Sequence, residues 1–232
     1  MNLSNRLEKI ANFVPKNTIV ADIGCDHGYI PIYLIKNNIS KKIIAIDISE
    51  NSIRKTIENV KINNLEKDID IRVGDGLDKI LSYEVDTVII AGMGGLMIRD
   101  ILDKDKKKTN SITNFILQAN IASKELRKYL YENNFEIIDE GLVKEGDKFY
   151  EIIHARRGKD FVTKDIYYEI GEKLIINKNP LLKEYINYKI KVIGGILFEL
   201  EGVKTEKAIN RKKELNKNLM DLKEVLLEIE GS

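Results

Sequence analysis

Asp22-Ile23-Gly24-Cys25-Asp26-His27-Gly28-Tyr29 sits between the apolar run Ile19-Val20-Ala21 and a second apolar run that begins at Ile30. The first run predicts a short buried strand, and the second, through Ile35, the start of a helix. A strand, a glycine-bearing turn and a helix N-terminus together make a site for an anionic or nucleotide ligand. Gly24 lets the backbone turn tightly and come close to a ligand. The pattern D-x-G-x-D-x-G is not the G-x-G-x-x-G of dinucleotide sites, where a pyrophosphate rests on the helix end. Asp26 stands in the middle of the loop, where a carboxylate repels a pyrophosphate but tolerates an amine or a sulfonium. That chemistry points away from a nicotinamide dinucleotide and towards S-adenosylmethionine. An ordinary strand-to-helix turn with a capping Asp fits the same stretch, so the flanking chain carries the decision.

Downstream, Ile43-Ile44-Ala45-Ile46-Asp47 reads as a second buried strand ending in an acid. Asp47 falls roughly 20 residues past the glycine turn, the spacing of a carboxylate that binds ribose hydroxyls. Taken alone, Asp47 equally suits a loop or the cap of a helix over 49–62. Residues 69–73 read as a third strand leading into Gly74-Asp75-Gly76-Leu77, where Asp75 is placed to accept a hydrogen bond from an adenine amino group. A turn Asp between glycines is also common. Residues 85–91 read as a central parallel strand. They run into Gly92-Met93-Gly94-Gly95, small residues that permit close approach by a flat ligand. A tight turn into a helix over 96–102 does not by itself call for so many glycines.

Residues 103–110 read as a solvated Lys-rich loop. Phe115-Ile116-Leu117-Gln118 is a fifth strand, and 123–131 a helix. Residues 135–143 and 149–155 form a hairpin around a turn at 144–147. Alternating α and β segments followed by a hairpin predict a doubly wound sheet with an antiparallel edge. Upstream, Leu3, Leu7, Ile10 and Ala11 lie at helical spacing behind Ser4. His154 reads as a packed strand residue rather than a catalyst.

After Gly158 the strand pattern stops, which divides the chain into expected domains at 1–158 and 159–232. Thr163 is placed to cap a helix through Ile176, and residues 177–180 break it. Leu182, Ile186, Ile193, Leu197 and Leu200 make a helical stripe. Leu215, Leu219, Leu222, Leu226 and Ile229 then alternate steps of four and three. Such a seam is narrow, as in an antiparallel helical hairpin or coiled coil. The hairpin equally suits an oligomerisation or stability element.

Lys and Arg number 38 against 37 Asp and Glu, so the whole chain exerts no pull on nucleic acid and any such contact needs a local patch. The candidates are Lys189, Lys191, Arg211, Lys212 and Lys213. Cys25 is the only cysteine, which excludes an internal disulfide and a cysteine zinc site and suits a reducing cytosol. Residues 1–15 carry charges throughout and show no signal-peptide core. The longest apolar run, 87–98, is broken by glycines and too short to span a bilayer. The expectation is a cytoplasmic protein with no membrane segment and no metal, a monomer or weak oligomer.

On Leu3-Ser4-Asn5-Arg6-Leu7, the stretch from Asp22 to Pro31, Gly74-Asp75-Gly76-Leu77, Ala91-Gly92-Met93-Gly94-Gly95, Leu117-Gln118-Ala119-Asn120 and Tyr150-Glu151-Ile152, the chain resembles the bacterial tRNA (adenine-22, N1)-methyltransferase family, TrmK. It departs from that family at Cys25, Gly28, Asp47 and Ala119, where Ser, Ala, Glu and Pro are more usual. The resemblance implies an α/β fold, a Rossmann-like class I methyltransferase sheet with a C-terminal α-helical coiled-coil domain that helps to hold tRNA. The candidate S-adenosylmethionine set is Asp22, Gly24, Cys25, Asp26, His27, Gly28, Tyr29, Asp47, Ile48, Gly74, Asp75, Gly76, Leu77, Ala91, Gly92 and Met93. Asp26, Met93 and Gly94 are the catalytic candidates, and Gln118, Asn120 and Tyr150 join the basic residues as RNA contacts. A methyltransferase for another RNA, a protein or a small molecule is an alternative, as is a nucleotide-binding regulator whose hairpin recruits a partner.

Overall fold

The computed structural model describes residues 3–231, so Met1, Asn2 and Ser232, at the outer ends of the two expected domains, lie outside it. The described chain divides between Phe161 and Val162 into two compact units. The first is built on a seven-stranded sheet in the order β3-β2-β1-β4-β5-β7-β6.

Helix α1 (Asn5–Asn12) starts where Ser4 accepts a hydrogen bond from Leu7 N, and strand β1 (Thr18–Ile23) follows. Helix α2 (Tyr29–Lys36) leads to β2 (Ser40–Asp47), which pairs parallel to β1. Helix α3 (Glu50–Ile62) is capped by Ser49 rather than by Asp47, because the Ser49 side chain accepts from Ser52 N. Strand β3 (Ile69–Val73) pairs with β2, and β4 (Thr87–Gly94) pairs with the other side of β1. The expected turn at 92–94 is therefore strand. Its register against β5 shifts around Met93, which bends the strand end without ending it.

Helix α4 (Gly95–Lys104) is followed by α5 (Lys106–Asn110), where a loop was expected. Asp105 caps α5 by accepting from Lys108 N at 3.0 Å, and Thr109 is buried with its hydroxyl donating to Leu102 O at 2.7 Å. Those polar anchors replace the apolar stripe that would have marked a helix. Strand β5 (Asn114–Ile121) and helix α6 (Ser123–Glu132) come next. The hairpin β6 (Phe135–Glu145) and β7 (Lys148–Arg157) is antiparallel, and β7 pairs antiparallel with β5. The expected doubly wound sheet with an antiparallel edge is the one observed.

Side-chain alternation sends each strand to two cores. Ala21, Ile23, Ile44, Ile46, Val88 and Ile90 meet α4 and α6 through Ile98, Leu102, Leu126 and Leu130. Val20, Ile43, Ala45, Ile89 and Ile116 meet α1, α2 and α3 through Ile10, Ile32, Leu34 and Val60 on the other face. Arg127 of α6 is fully buried and pairs with Glu140 of β6 at 2.7 Å and Glu151 of β7 at 2.5 Å, which ties the helix to the hairpin. Removing one partner of such a group leaves a buried charge and costs about 3–5 kcal/mol.

The second unit is helical. The expected helix over 163–176 is two short ones, α7 (Ile166–Ile170) and α8 (Glu172–Ile176), because Gly171 between them takes φ 70°. Helices α9 (Leu182–Glu199) and α10 (Glu206–Glu230) pack on each other. They bury Leu182, Ile186 and Ile193 on one side and Ala208, Leu215, Leu222 and Val225 on the other. Val225 is core, whereas the expected Leu226 is only partly buried. Among the described residues no helix is long and apolar enough to cross a membrane.

Candidate active site

The parallel strands β1 to β5 end along one edge of the sheet, with Ile23 level with Ile46 and Ile90, and Asp47 level with Val73. Open α/β sheets bind ligands at this edge. A cavity of about 310 Å³ lies there, lined by Arg6, Asp22, Gly24, Cys25, Asp26, Tyr29, Ala91, Gly92 and Asn120 among others.

The loop after β1 is held from both sides. Gly24 N and Cys25 N donate to Ile46 O at 2.8 and 3.0 Å. Gly24, Asp26 and Gly28 all take positive φ, at 74°, 46° and 73°. A Cβ on Gly24 would lie 2.6 Å from Met93 Cε, so the Met93 side chain rests on the bare glycine. From α3, Thr56 Oγ1 donates to Asp26 O at 2.5 Å and Asn59 Nδ2 donates to His27 O at 2.9 Å. The His27 ring stacks on Tyr29 with centroids 5.2 Å apart, and its Nε2 lies 3.7 Å from Asp26 Oδ1.

Asp47 accepts from Asp26 N at 3.1 Å through Oδ2 and from Ser49 N at 2.8 Å through Oδ1. An ionised carboxylate offers about four lone-pair directions, so two are left for a diol. Gly74 N donates to Asp47 O at 3.0 Å, which brings the β3 loop alongside, and Ile48 and Val73 are exposed there. Asp22 is buried beneath the loop, and its carboxyl is pushed up to about 7 by burial and then by the charge of Asp47. Burial, then the charge of Asp22, pushes the Cys25 thiol up to about 12, so Cys25 is a neutral packing residue beside Thr56. Lys104 holds Asp75 at 2.9 Å and Asp78 at 3.0 Å. Leu77 is buried in the core with Ile80 and Ile98, so its side chain does not face the cavity.

The glycines of the β4 end have separate causes. Gly92 takes φ 79°. A Cβ on Gly95 would lie 2.2 Å from Ala122 O, so the N-terminus of α4 approaches the backbone after β5 too closely for any side chain. Gly94 has neither constraint, its added Cβ meeting only Ile121 at 3.7 Å. The fold thus accounts for Gly92 and Gly95 without a ligand, contrary to the sequence expectation.

Gln118 is fully buried. Its Oε1 accepts from Gly92 N at 3.1 Å and Arg6 NH1 at 2.7 Å, and its Nε2 donates to Asn120 Oδ1 at 3.1 Å. Asn120 is exposed and donates to Gly92 O at 2.7 Å. Gln118, expected at the RNA, is an internal strut that orients Gly92, while Asn120 faces the cavity. Tyr150 lies under the Arg6 guanidinium, 5.2 Å from Cζ to the ring centre. Sequence reasoning missed Arg6. It lies 112 residues from Gln118, and its only sequence signal was its place in the stretch 3–7 that carries the family resemblance.

In the second unit Lys189 is tied into the fold by Glu169 at 2.6 Å and by the Tyr185 ring. Lys191 and Lys213 are exposed, Arg211 pairs with Glu214, and Lys212 Nζ donates to Val203 O at 3.4 Å. His154 is packed between Asn114 and Phe13, with burial holding its pKa below the usual histidine value. No cluster of three or more potential metal-ligating side chains occurs among the described residues.

Residues 3–153 match the family model for a methyltransferase domain. The chain is 32% identical to the tRNA (adenine(22)-N(1))-methyltransferase of Bacillus subtilis, over 97% of this chain and 98% of that one. It is similar to the crystal structure of the B. subtilis m1A22 tRNA methyltransferase TrmK, with TM-score 0.88 and 32% identity over 97% of this chain and 99% of that one. A further similar structure is the Streptococcus pneumoniae putative tRNA (m1A22) methyltransferase in complex with S-adenosyl-L-methionine, with TM-score 0.86 and 30% identity over 97% of this chain and 100% of that one.

Proposed function

The chain belongs to the tRNA (adenine-22, N1)-methyltransferase family, and from that premise we propose how its cavity carries out the methylation of adenine N1 in tRNA with S-adenosylmethionine as methyl donor. The observation that carries the reading is the cavity at the sheet edge, with buried Asp22 below it, Asp26 at its mouth and Asp47 at the adjoining strand end. Acids on the floor and rim suit a ligand with cationic centres, and bare Gly24 lets it lie against the loop. Asp47 accepts from the ribose hydroxyls, and Asp75, held by Lys104, accepts from the cofactor's adenine amino group. Ile48 gives that adenine an apolar cover. When bound, S-adenosylmethionine supplies an electrophilic methyl group on a sulfonium.

Adenine N1 carries its lone pair without first losing a proton, so no strong general base is needed. The protein must hold N1 in line at about 3–3.5 Å from the methyl carbon and exclude water. N1 lies on the Watson–Crick edge, so a paired or stacked target has to be splayed out first. Gly92 and Gly94 offer a flat floor bare of side chains, and Met93, resting on Gly24, closes it from the side. Asp26 accepts from the target amino group and stabilises the positive charge that grows on the ring, a gain realised mainly in the transition state. Asn120 and Tyr150 adjoin this floor as base contacts. The packed α9–α10 pair, read as a coiled-coil hairpin in a domain over 159–232, holds the RNA backbone through Lys191, Arg211, Lys212 and Lys213. Incubation with labelled methyl donor and tRNA is expected to place one methyl group per accepting tRNA and to stop reverse transcription at one adenine. Read-through at every adenine, or label transferred only to protein, would overturn the reading.

A further inference from the structure

We propose that Arg6 is the counter-ion for the α-carboxylate of the methyl donor. The proposal rests on the reading of the cavity as an S-adenosylmethionine site. Among the described residues Arg6 is the one basic side chain lining the cavity, which the acids Asp22 and Asp26 also line. The amino-acid end of the donor carries an ammonium and a carboxylate beside the sulfonium. Acids on the lining suit the cationic groups, and Arg6 is the member that takes the anion.

The guanidinium is preorganised but not saturated. It has five N–H donors. NH1 donates to Gln118 Oε1 at 2.7 Å, a neutral acceptor, and Cζ lies 5.2 Å from the centre of the Tyr150 ring. Glu145 accepts at 2.8 Å from the Arg6 backbone N–H, not from its side chain. Among the described residues no carboxylate pairs with this half-buried cation. Gly92 lies beside the fork, where an added Cβ would stand 3.8 Å from NH1, an ordinary contact. A guanidinium fixed on one side and open on the other suits a carboxylate, which it binds through two parallel hydrogen bonds. Arg6 enters from α1, so the first helix supplies one end of the ligand contact and the β1 loop the other.

The test compares S-adenosylmethionine with its decarboxylated analogue, which keeps the sulfonium and ammonium and lacks only the carboxylate. Calorimetry is run on the wild type, Arg6→Ala and Arg6→Lys. The wild type is expected to bind the analogue about tenfold or more weakly. Arg6→Ala is expected to lose about the same factor for S-adenosylmethionine and nothing for the analogue, and Arg6→Lys to keep part of the difference. Equal losses for both ligands would make Arg6 a structural residue and overturn the proposal. Unchanged donor affinity with weakened tRNA binding would do so as well, by placing Arg6 at the RNA. If Arg6→Ala does not fold, the wild type decides, since equal affinity for the two ligands removes the carboxylate contact. Wild-type protein that binds neither ligand would overturn the reading of the cavity itself, a result distinct from these.

Discussion

Asp47 holds the loop and, in the site proposed above, binds the ligand as well. It closes the β1 loop through Asp26 N and starts α3 through Ser49 N, with acceptor capacity left for a diol. Asp47→Ala is expected to lower donor affinity tenfold or more, since charge-assisted hydrogen bonds contribute about 1.5–3 kcal/mol. Calorimetry giving unchanged affinity in the folded variant would remove Asp47 from the site. Asp22 supplies a pH dependence. Burial raises its pKa to about 7, so the empty site holds a proton there below neutrality. A cationic ligand beside the group favours the carboxylate, and binding then releases that proton. Affinity is expected to fall as pH drops below 7 and to level off above it, and Asp22→Asn is expected to flatten the profile. The same raised pKa makes the fold lose stability as pH rises between the ordinary Asp value and 7, because the folded chain binds the proton more tightly than the unfolded one. Asp22, Gly24 and Asp47 were legible because a strand, a turn and a spacing place them locally. Gln118 and Arg6 were not, because the burial of a polar side chain within a strand and a contact 112 residues long leave no local trace.

Elements were legible where an apolar period marks them. Strand β3 has the bounds that its pattern predicts, and Ser4 begins α1 as expected. Helix α5 was hidden because its anchors are Thr109, Asp105 and the Lys108 ammonium donating to Leu77 O and Asp78 O, none of them apolar. Helices α7 and α8 were merged because a single Gly171 inside a helical pattern is usually tolerated. The start of α4 yields the sharpest element-scale prediction. Gly95→Ala forces a Cβ against the Ala122 carbonyl and is expected to cost about 1–3 kcal/mol or more, as overpacking does. Gly94→Ala meets only Ile121 and is expected to leave the melting temperature nearly unchanged. Equal thermal shifts for the two variants would contradict this account of the turn.

At the scale of the molecule, the balance of 38 basic and 37 acidic residues leaves tRNA binding to local patches. A chain ending after Phe161 keeps the first compact unit whole. It is expected to bind S-adenosylmethionine with unchanged affinity and to methylate tRNA poorly. The intact protein is expected to lose tRNA affinity steeply as salt rises. Full-rate methylation by the shortened chain would show that the helical unit is not the RNA holder. The strand order β5-β7-β6 also has a consequence for synthesis on the ribosome. The neighbour of β5 is not the next strand to emerge but the one after it. Until residues 148–157 leave the exit tunnel, β5 presents a bare row of backbone donors and acceptors, with β6 already outside and unable to take its native place. The nascent chain therefore passes through a sticky interval of fixed length, and the sheet is sealed only when the outgoing hairpin folds back and inserts its second arm.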